Sequence, residues 1–400
     1  MFLRIILFLG FFFLSSISLS SSPNENFRVF LKNFETKAVA AGIKKSTYRN
    51  ATDNLVLQKN IKNLVSTQPE FTTPIWVYLD KRVSSSRIKR GRLAFAKNKI
   101  LFAHISKKYG VDPAILASIW GMETDYGAVL NNKNLIKPII NSLATLVFLR
   151  RSRLKEDEKE FIIALRLIQD YGWTKTSLVG SWAGAVGHTQ VIASGLLEYG
   201  ADGDNDKKIN PHLSLADALA TSANYLVSLG YQKNMDWGYE IDLPQNFDFS
   251  LASRENFKPI SFFASRGIKR VKGREFSDLN QEVFLYLPAG KNGVKFLMTK
   301  NYLVLKAYNF SDSYALSVAH LADRLKGSGN FISTWPKKTK FPNLKQRIFI
   351  QKRLKFLGFY NGKVDGKIGP ITQKAYSEFQ ISRGLSGDGF ITLNSYNLLK

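Results

Sequence analysis

One carboxylate on an otherwise apolar helix limits what this chain can fold into more than any other feature. The stretch is Val111-Asp112-Pro113-Ala114-Ile115-Leu116-Ala117-Ser118-Ile119-Trp120-Gly121-Met122-Glu123-Thr124-Asp125-Tyr126-Gly127. Asp112 and Pro113 have the chemistry of an N-cap and a first helical residue. Ile115, Ile119 and Glu123 recur every four residues and share a face, with Leu116, Trp120 and Met122 close by. A helix of this kind belongs inside a core, and it carries Glu123 with it. A carboxylate there must be paired, or its pKa must rise so that it stays protonated. Glycoside cleavage needs such a protonated acid near neutral pH. The plain alternative is a buried structural carboxylate. Tyr126-Gly127 reads as the helix end, with glycine adopting a positive φ.

Four hundred residues allow two or three domains. The chain opens with Met1-Phe2-Leu3-Arg4, an apolar run from Ile5 to Leu14, and small residues from Ser15 to Ser22. That pattern predicts a secretory signal over residues 1–22. It is short of the roughly 20 apolar residues that span a bilayer. No later stretch is long enough either, so the mature protein should have no transmembrane span. The chain contains no cysteine, which excludes disulfides, cysteine metal sites, a cysteine nucleophile and a lipid-modified N-terminal cysteine. Its net charge of +26 draws it to polyanions. No nucleic-acid motif is present, so the partners of an exported chain would be cell wall or anionic lipid. A solvated, lysine-rich surface is the bland reading of the same charge. Four histidines without paired spacing argue against zinc.

Helical spacing is read over 27–39, 56–64, 87–109 (with Ser84-Ser85-Ser86 as its cap), 141–149, 156–171, 213–229 and 312–325. Residues 180–187 form a Gly/Ala-rich turn region. Residues 231–310 are less helical, and 283–287 and 294–298 suggest a small sheet. Gly327-Ser328-Gly329-Asn330 and the basic, proline-containing stretch 335–342 read as a linker. Beyond it lies a small unit of helix (344–357), turn (358–369), helix (370–383) and a short final segment. Residues 337–400 hold 13 basic and 3 acidic residues, the most basic part of the chain.

Four motifs carry a family resemblance. Gly-Met-Glu123-Thr-Asp-Tyr-Gly resembles the catalytic helix of lysozyme-like glycosidases. Gly180-Ser181-Trp182-Ala183-Gly184-Ala185-Val186-Gly187-His188-Thr189-Gln190 resembles a motif of the membrane-bound lytic transglycosylase B family. Tyr308-Asn309-Phe310-Ser311-Asp312-Ser313-Tyr314-Ala315-Leu316 and Gln68-Pro69-Glu70-Phe71 with Trp76-Val77-Tyr78-Leu79-Asp80 are the others. In the C-terminal unit, Gln351-Lys352-Arg353-Leu354, Val364-Asp365-Gly366-Lys367-Ile368-Gly369-Pro370 and Phe379-Gln380 resemble the helical peptidoglycan-binding domain of wall hydrolases.

The resemblance implies a mainly α (α+β) fold. It would comprise a signal peptide (1–22), a lysozyme-like helical catalytic domain with a small β-containing subdomain (23–326), a linker (327–343) and a three-helix wall-binding module (344–400). It implies a lytic transglycosylase of the periplasm that cuts the MurNAc–GlcNAc β-1,4 bond of peptidoglycan glycan strands without water. Glu123 would be the single catalytic acid and base. Ser181, Gln190, Tyr225, Tyr308, Asn309, Tyr314 and Tyr78 would line the sugar site. A monomer with no required cofactor and no nucleic-acid partner is expected. The alternatives are a muramidase that uses water and a catalytically impaired wall-binding scaffold. Arg150, Arg151 and Arg153 could meet peptide carboxylates or form a solvated run.

Two departures from the family pattern concern the cleft wall. His188-Thr189 replaces an aromatic-Gly pair, and Val191-Ile192-Ala193-Ser194 replaces Phe-Met-Pro-Ser. Separately, Asp202, Asp204 and Asp206 alternate as in a calcium loop. Lys207 stands where that loop needs glycine, and Leu213 where it needs glutamate, although Asp217 could substitute. A structural calcium or an acidic surface loop with Asx turns are the two readings.

Overall fold

The computed structural model describes residues 22–66 and 73–400. The expected signal segment, apart from Ser22, and the Gln68-Pro69-Glu70-Phe71 motif lie outside them. The chain is mainly helical, with two small antiparallel sheets.

The apolar stretch is a helix, Pro113–Thr124, capped by Asp112, whose carboxylate accepts from the Ala114 N–H at 2.7 Å. Every residue from Ala114 to Met122 is buried. Such a helix is stable only when surrounded. Ser85–Lys97, Lys99–Tyr109, Leu215–Ser228 and Asp312–Leu325 surround it and form the largest core. Its end differs from expectation. Asp125, not Gly127, is the left-handed cap, and Asp125, Tyr126 and Gly127 have φ of 52°, 61° and 84° in succession.

A second core gathers Pro23–Ala40, Lys45–Thr52, Ile139–Phe148, Leu154–Asp170 and Ala193–Tyr199 around Phe27, Phe34, Tyr48 and Phe161. A strip of four two-residue strands, Lys137–Pro138, Val179–Gly180, Ala185–Val186 and Val191–Ile192, adds Val186 and Val191 to this second core. The larger sheet is five-stranded, in the order Lys258–Pro259, Glu282–Tyr286, Phe296–Met298, Gly238–Asp242, Lys269–Arg270. It has its own core around Phe263, Val283 and Leu297.

Two sequence expectations are corrected, and the linker is found packed. The helix read over 87–109 is two helices. They meet at Asn98, whose side-chain amide donates to the Ala94 carbonyl at 2.8 Å and competes with the helical ladder. The less helical region ends in a helix, Lys300–Asn309, capped by Thr299. The linker is not a free tether. The Glu240 carboxylate accepts the Ile332 and Ser333 N–H groups, Phe331 stacks on His320 at 4.1 Å, and Trp335 and Phe341 pack on Trp76. Lys337 pairs with Asp80 at 2.7 Å.

The C-terminal unit has three helices, Leu344–Phe356, Pro370–Ser382 and Leu393–Leu399, around Ile350, Leu354, Tyr376 and Phe379. It touches the loop between the strands Glu282–Tyr286 and Phe296–Met298 through Lys291, whose N–H donates to Asp388 at 3.0 Å. Among the described residues, no helix is long and apolar enough to cross a membrane.

Candidate active site

Glu123 lies in the last turn of the buried helix and is itself only half-buried. Tyr314, from the facing helix Asp312–Leu325, donates its hydroxyl to Glu123 Oε1 at 2.6 Å. Burial first, and the Glu123 charge second, push the Tyr314 phenol well above its ordinary value, so it remains a donor. Behind it the Tyr308 ring lies parallel to Tyr314, 6.3 Å away and tilted by 3°. Tyr308 donates to the Thr189 carbonyl at 2.8 Å and is 3.1 Å from the Ser222 hydroxyl. Tyr225 follows at 5.5 Å, and Tyr199 stacks on Tyr225 at 4.9 Å. A row of tyrosines thus leads away from Glu123.

The helix Ile75–Arg82 also approaches the Glu123 region. Tyr78 is buried, and the Arg82 guanidinium lies 5.6 Å from its ring centre. Arg82 also donates to the Met122 carbonyl at 3.2 Å, one residue before Glu123. Burial opposes the Arg82 charge, but Tyr78, Glu123 and Tyr314 outweigh it. Arg82 was not anticipated. The spacing Tyr78–Arg82 places both on one helical face, and that was the available signal. Asp125 faces elsewhere, held by Arg87 at 3.2 Å and Arg90 at 2.8 Å.

The Gly/Ala-rich stretch supplies the strip next to the helix end. The space beside its glycines is filled by the protein itself. A Cβ on Gly180 would meet the Ala185 carbonyl at 1.8 Å, and one on Gly187 the Pro211 carbonyl at 2.1 Å. Ser181 turns this strip, donating its N–H to Ala185 at 2.8 Å. Gln190 has a φ of 52° and folds its amide onto the Gly187 carbonyl at 2.8 Å. Positive φ in a glutamine is uncommon and recurs at functional sites.

The departures at 188 and 189 have structural reasons. His188 Nδ1 accepts the Trp120 indole N–H at 3.0 Å, and its carbonyl accepts the Thr124 hydroxyl at 2.6 Å. Thr189 is buried, with its hydroxyl on the Ala218 carbonyl at 3.2 Å. Both residues therefore lock the strip to the helices under it. Val191 is buried in the second core, whereas Ile192 is exposed. Asn309 ends the helix Lys300–Asn309 beside Tyr308. Of the three arginines, Arg151 is engaged by buried Asp157, and Arg150 and Arg153 are exposed.

In the acidic loop, Asp202, Asp204 and Asp217 bring carboxylate oxygens within 4.8 Å of one another. Asp206 is not among them and accepts the Lys208 N–H at 2.8 Å. Burial, then the neighbouring Asp204 and Asp202, raise the Asp217 pKa against the N–H bonds it accepts from Asn210 and Gly203.

The buried helix carrying Glu123, packed against the Tyr314 helix, is at the centre of a lysozyme-like helical fold. Residues 26–323 match the Transglycosylase SLT domain, and residues 343–399 match the Putative peptidoglycan binding domain. The chain belongs to the transglycosylase SLT-domain family. It is similar to SltB3 from Pseudomonas aeruginosa, solved in complex with NAG-anhNAM-pentapeptide. The two are 34% identical with a TM-score of 0.86, covering 93% of this chain and 99% of that one. It is 26% identical over 249 residues to the membrane-bound lytic murein transglycosylase B of Escherichia coli (strain K12). That match covers 61% of this chain and 65% of the relative, just under two thirds of its length. Slt35 of Escherichia coli, solved in complex with calcium, shares the fold at 22% identity and a TM-score of 0.60, over 76% of this chain and 93% of that one.

Proposed function

We propose that this chain is a lytic transglycosylase of peptidoglycan in which Glu123 is the single acid and base. The observation that carries the reading is Glu123 itself, half-buried at the end of an apolar helix and held by the Tyr314 hydroxyl at 2.6 Å. Protonated Glu123 gives its proton to the oxygen between MurNAc and GlcNAc as the C1–O bond breaks. The resulting carboxylate then takes the proton of the C6 hydroxyl of the same MurNAc, and O6 bonds to C1. The product is a 1,6-anhydro sugar, Glu123 regains its proton, and no water is consumed. Ser181 and Gln190 hydrogen-bond the N-acetyl group, which stabilises the cation in place of a second carboxylate. Tyr78, Tyr225, Tyr308, Asn309 and Tyr314 shape the cleft.

Residues 23–326 form the catalytic part, 327–343 the strap, and 344–400 the part that holds peptidoglycan. Residues 1–22 direct export to the periplasm, where the protein acts as a monomer. The test is digestion of purified peptidoglycan by the protein from residue 23 onward, with Glu123→Gln as control. Soluble products one water lighter than reducing muropeptides, absent with the variant, support the reading. Reducing products would make the protein a muramidase, and no product with intact wall binding would make it a scaffold.

A calcium ion fits the acidic loop. Oxygens on opposite sides of a Ca²⁺ ion are up to about 4.8 Å apart when each bond is about 2.4 Å, which matches Asp202, Asp204 and Asp217. Bound there, the ion would offset the mutual repulsion of these carboxylates. Calcium should raise the melting temperature of the protein but not of Asp217→Asn. Equal responses would remove the site.

A further inference from the structure

Phe310 follows the helix Lys300–Asn309 with φ 53° and ψ 14°, a left-handed conformation that suits glycine and strains a residue bearing a Cβ. Its side chain is 75% exposed. A lone exposed apolar residue needs no explanation, but here exposure and strain fall on one residue, and glycine would relieve both. Among the described residues, ten non-glycine positions have positive φ. Four of them flank the catalytic region: Asp125, Tyr126, Gln190 and Phe310.

The turn Phe310-Ser311 joins the helix that delivers Tyr308 to the helix that delivers Tyr314. Tyr308 reaches the Thr189 carbonyl beside Gln190, and Tyr314 reaches Glu123. The turn is also rigidly backed. Ser311 caps the second helix by accepting the Tyr314 N–H at 3.3 Å. Asp312 is held by Arg254 at 2.8 Å, Lys306 at 3.2 Å and the Tyr302 hydroxyl at 3.0 Å. An aromatic ring is therefore presented to solvent from a fixed support, two residues beyond Tyr308 and four before Tyr314.

We propose that Phe310 is a stacking platform for a sugar ring of the glycan strand, a contact that supplies binding and specificity while the chemistry stays with Glu123. A pyranose exposes an apolar face of C–H groups, which the negative face of an aromatic ring attracts. The inference rests on the transglycosylase reading.

The experiment compares wild type, Phe310→Gly and Phe310→Tyr in melting temperature and in the kinetics of muropeptide release from purified peptidoglycan. Phe310→Gly should melt no lower than wild type, because glycine suits the left-handed backbone. Its half-saturating peptidoglycan concentration should rise about five-fold with little change in maximal rate, and Phe310→Tyr should behave as wild type. An unchanged half-saturation in Phe310→Gly, with wild type active, overturns this inference alone. A lower melting temperature together with a reduced maximal rate would make Phe310 a packing residue and overturn it as well. A wild-type protein that releases nothing removes the transglycosylase reading, and this inference with it.

Discussion

The Tyr314 hydroxyl lies 2.6 Å from Glu123 Oε1 across 191 residues of sequence. The bond fixes one carboxylate oxygen of Glu123. Tyr314→Phe keeps the ring and deletes only the donor. A hydrogen bond to a charged group contributes about 1.5–3 kcal/mol, so kcat should fall about 10- to 100-fold. The melting temperature should change little. Steady-state release of muropeptides checks this, and an unchanged kcat would show that Glu123 does not depend on Tyr314.

Burial depresses the imidazoles of His188 and His320 to about 4. An unfolded histidine titrates at about 6.5. Between those values the unfolded chain binds more protons, so stability is full above about pH 6.5 and falls on acidification towards about pH 4. Each such histidine accounts for about 3 kcal/mol at most. Protonating His188 at Nδ1 would also break its bond from Trp120. His320→Phe, in a site already stacked on Phe331, should lose less stability between about pH 7 and about pH 5 than wild type does. Denaturant curves at the two pH values measure the difference, and parallel losses would contradict the assignment.

Gln351 organises the C-terminal module. It is fully buried, and its carbonyl accepts the Asp365 and Gly366 N–H groups at 3.0 and 2.7 Å. Its amide reaches the Lys367 carbonyl at 3.0 Å. Gln351→Leu would strand a buried backbone donor at Gly366, at about 1–3 kcal/mol, and a part-buried one at Asp365. The module should then unfold separately from the catalytic part, giving a second, lower transition in calorimetry and weaker retention on peptidoglycan. A single unchanged transition would refute this.

The helix that carries Glu123 was legible because its signals are local: the Asp112-Pro113 start, and the four-residue spacing that puts Glu123 on an apolar face. Tyr308 and Tyr314 were legible through the resemblance, and they prove to be joined through stacking and to Glu123. Arg82 was not, because its role depends on meeting Met122, 40 residues on. Asp206 looked like a ligand by alternation, whereas the three-dimensional loop brings in Asp217, buried on a later helix. The strap over 327–343 has the composition of a linker. Only its contacts with Glu240, His320 and Trp76 reveal it as packed, and these partners are dispersed along the chain.

The most direct test of the central claim is digestion of peptidoglycan in water enriched in heavy oxygen, with the products weighed by mass spectrometry. If Glu123 draws the nucleophile from the sugar's own C6 hydroxyl, the MurNAc ends will be anhydro and unlabelled, and Glu123→Gln will release none. MurNAc ends that carry one heavy oxygen from solvent would contradict the account, because water would then be the nucleophile.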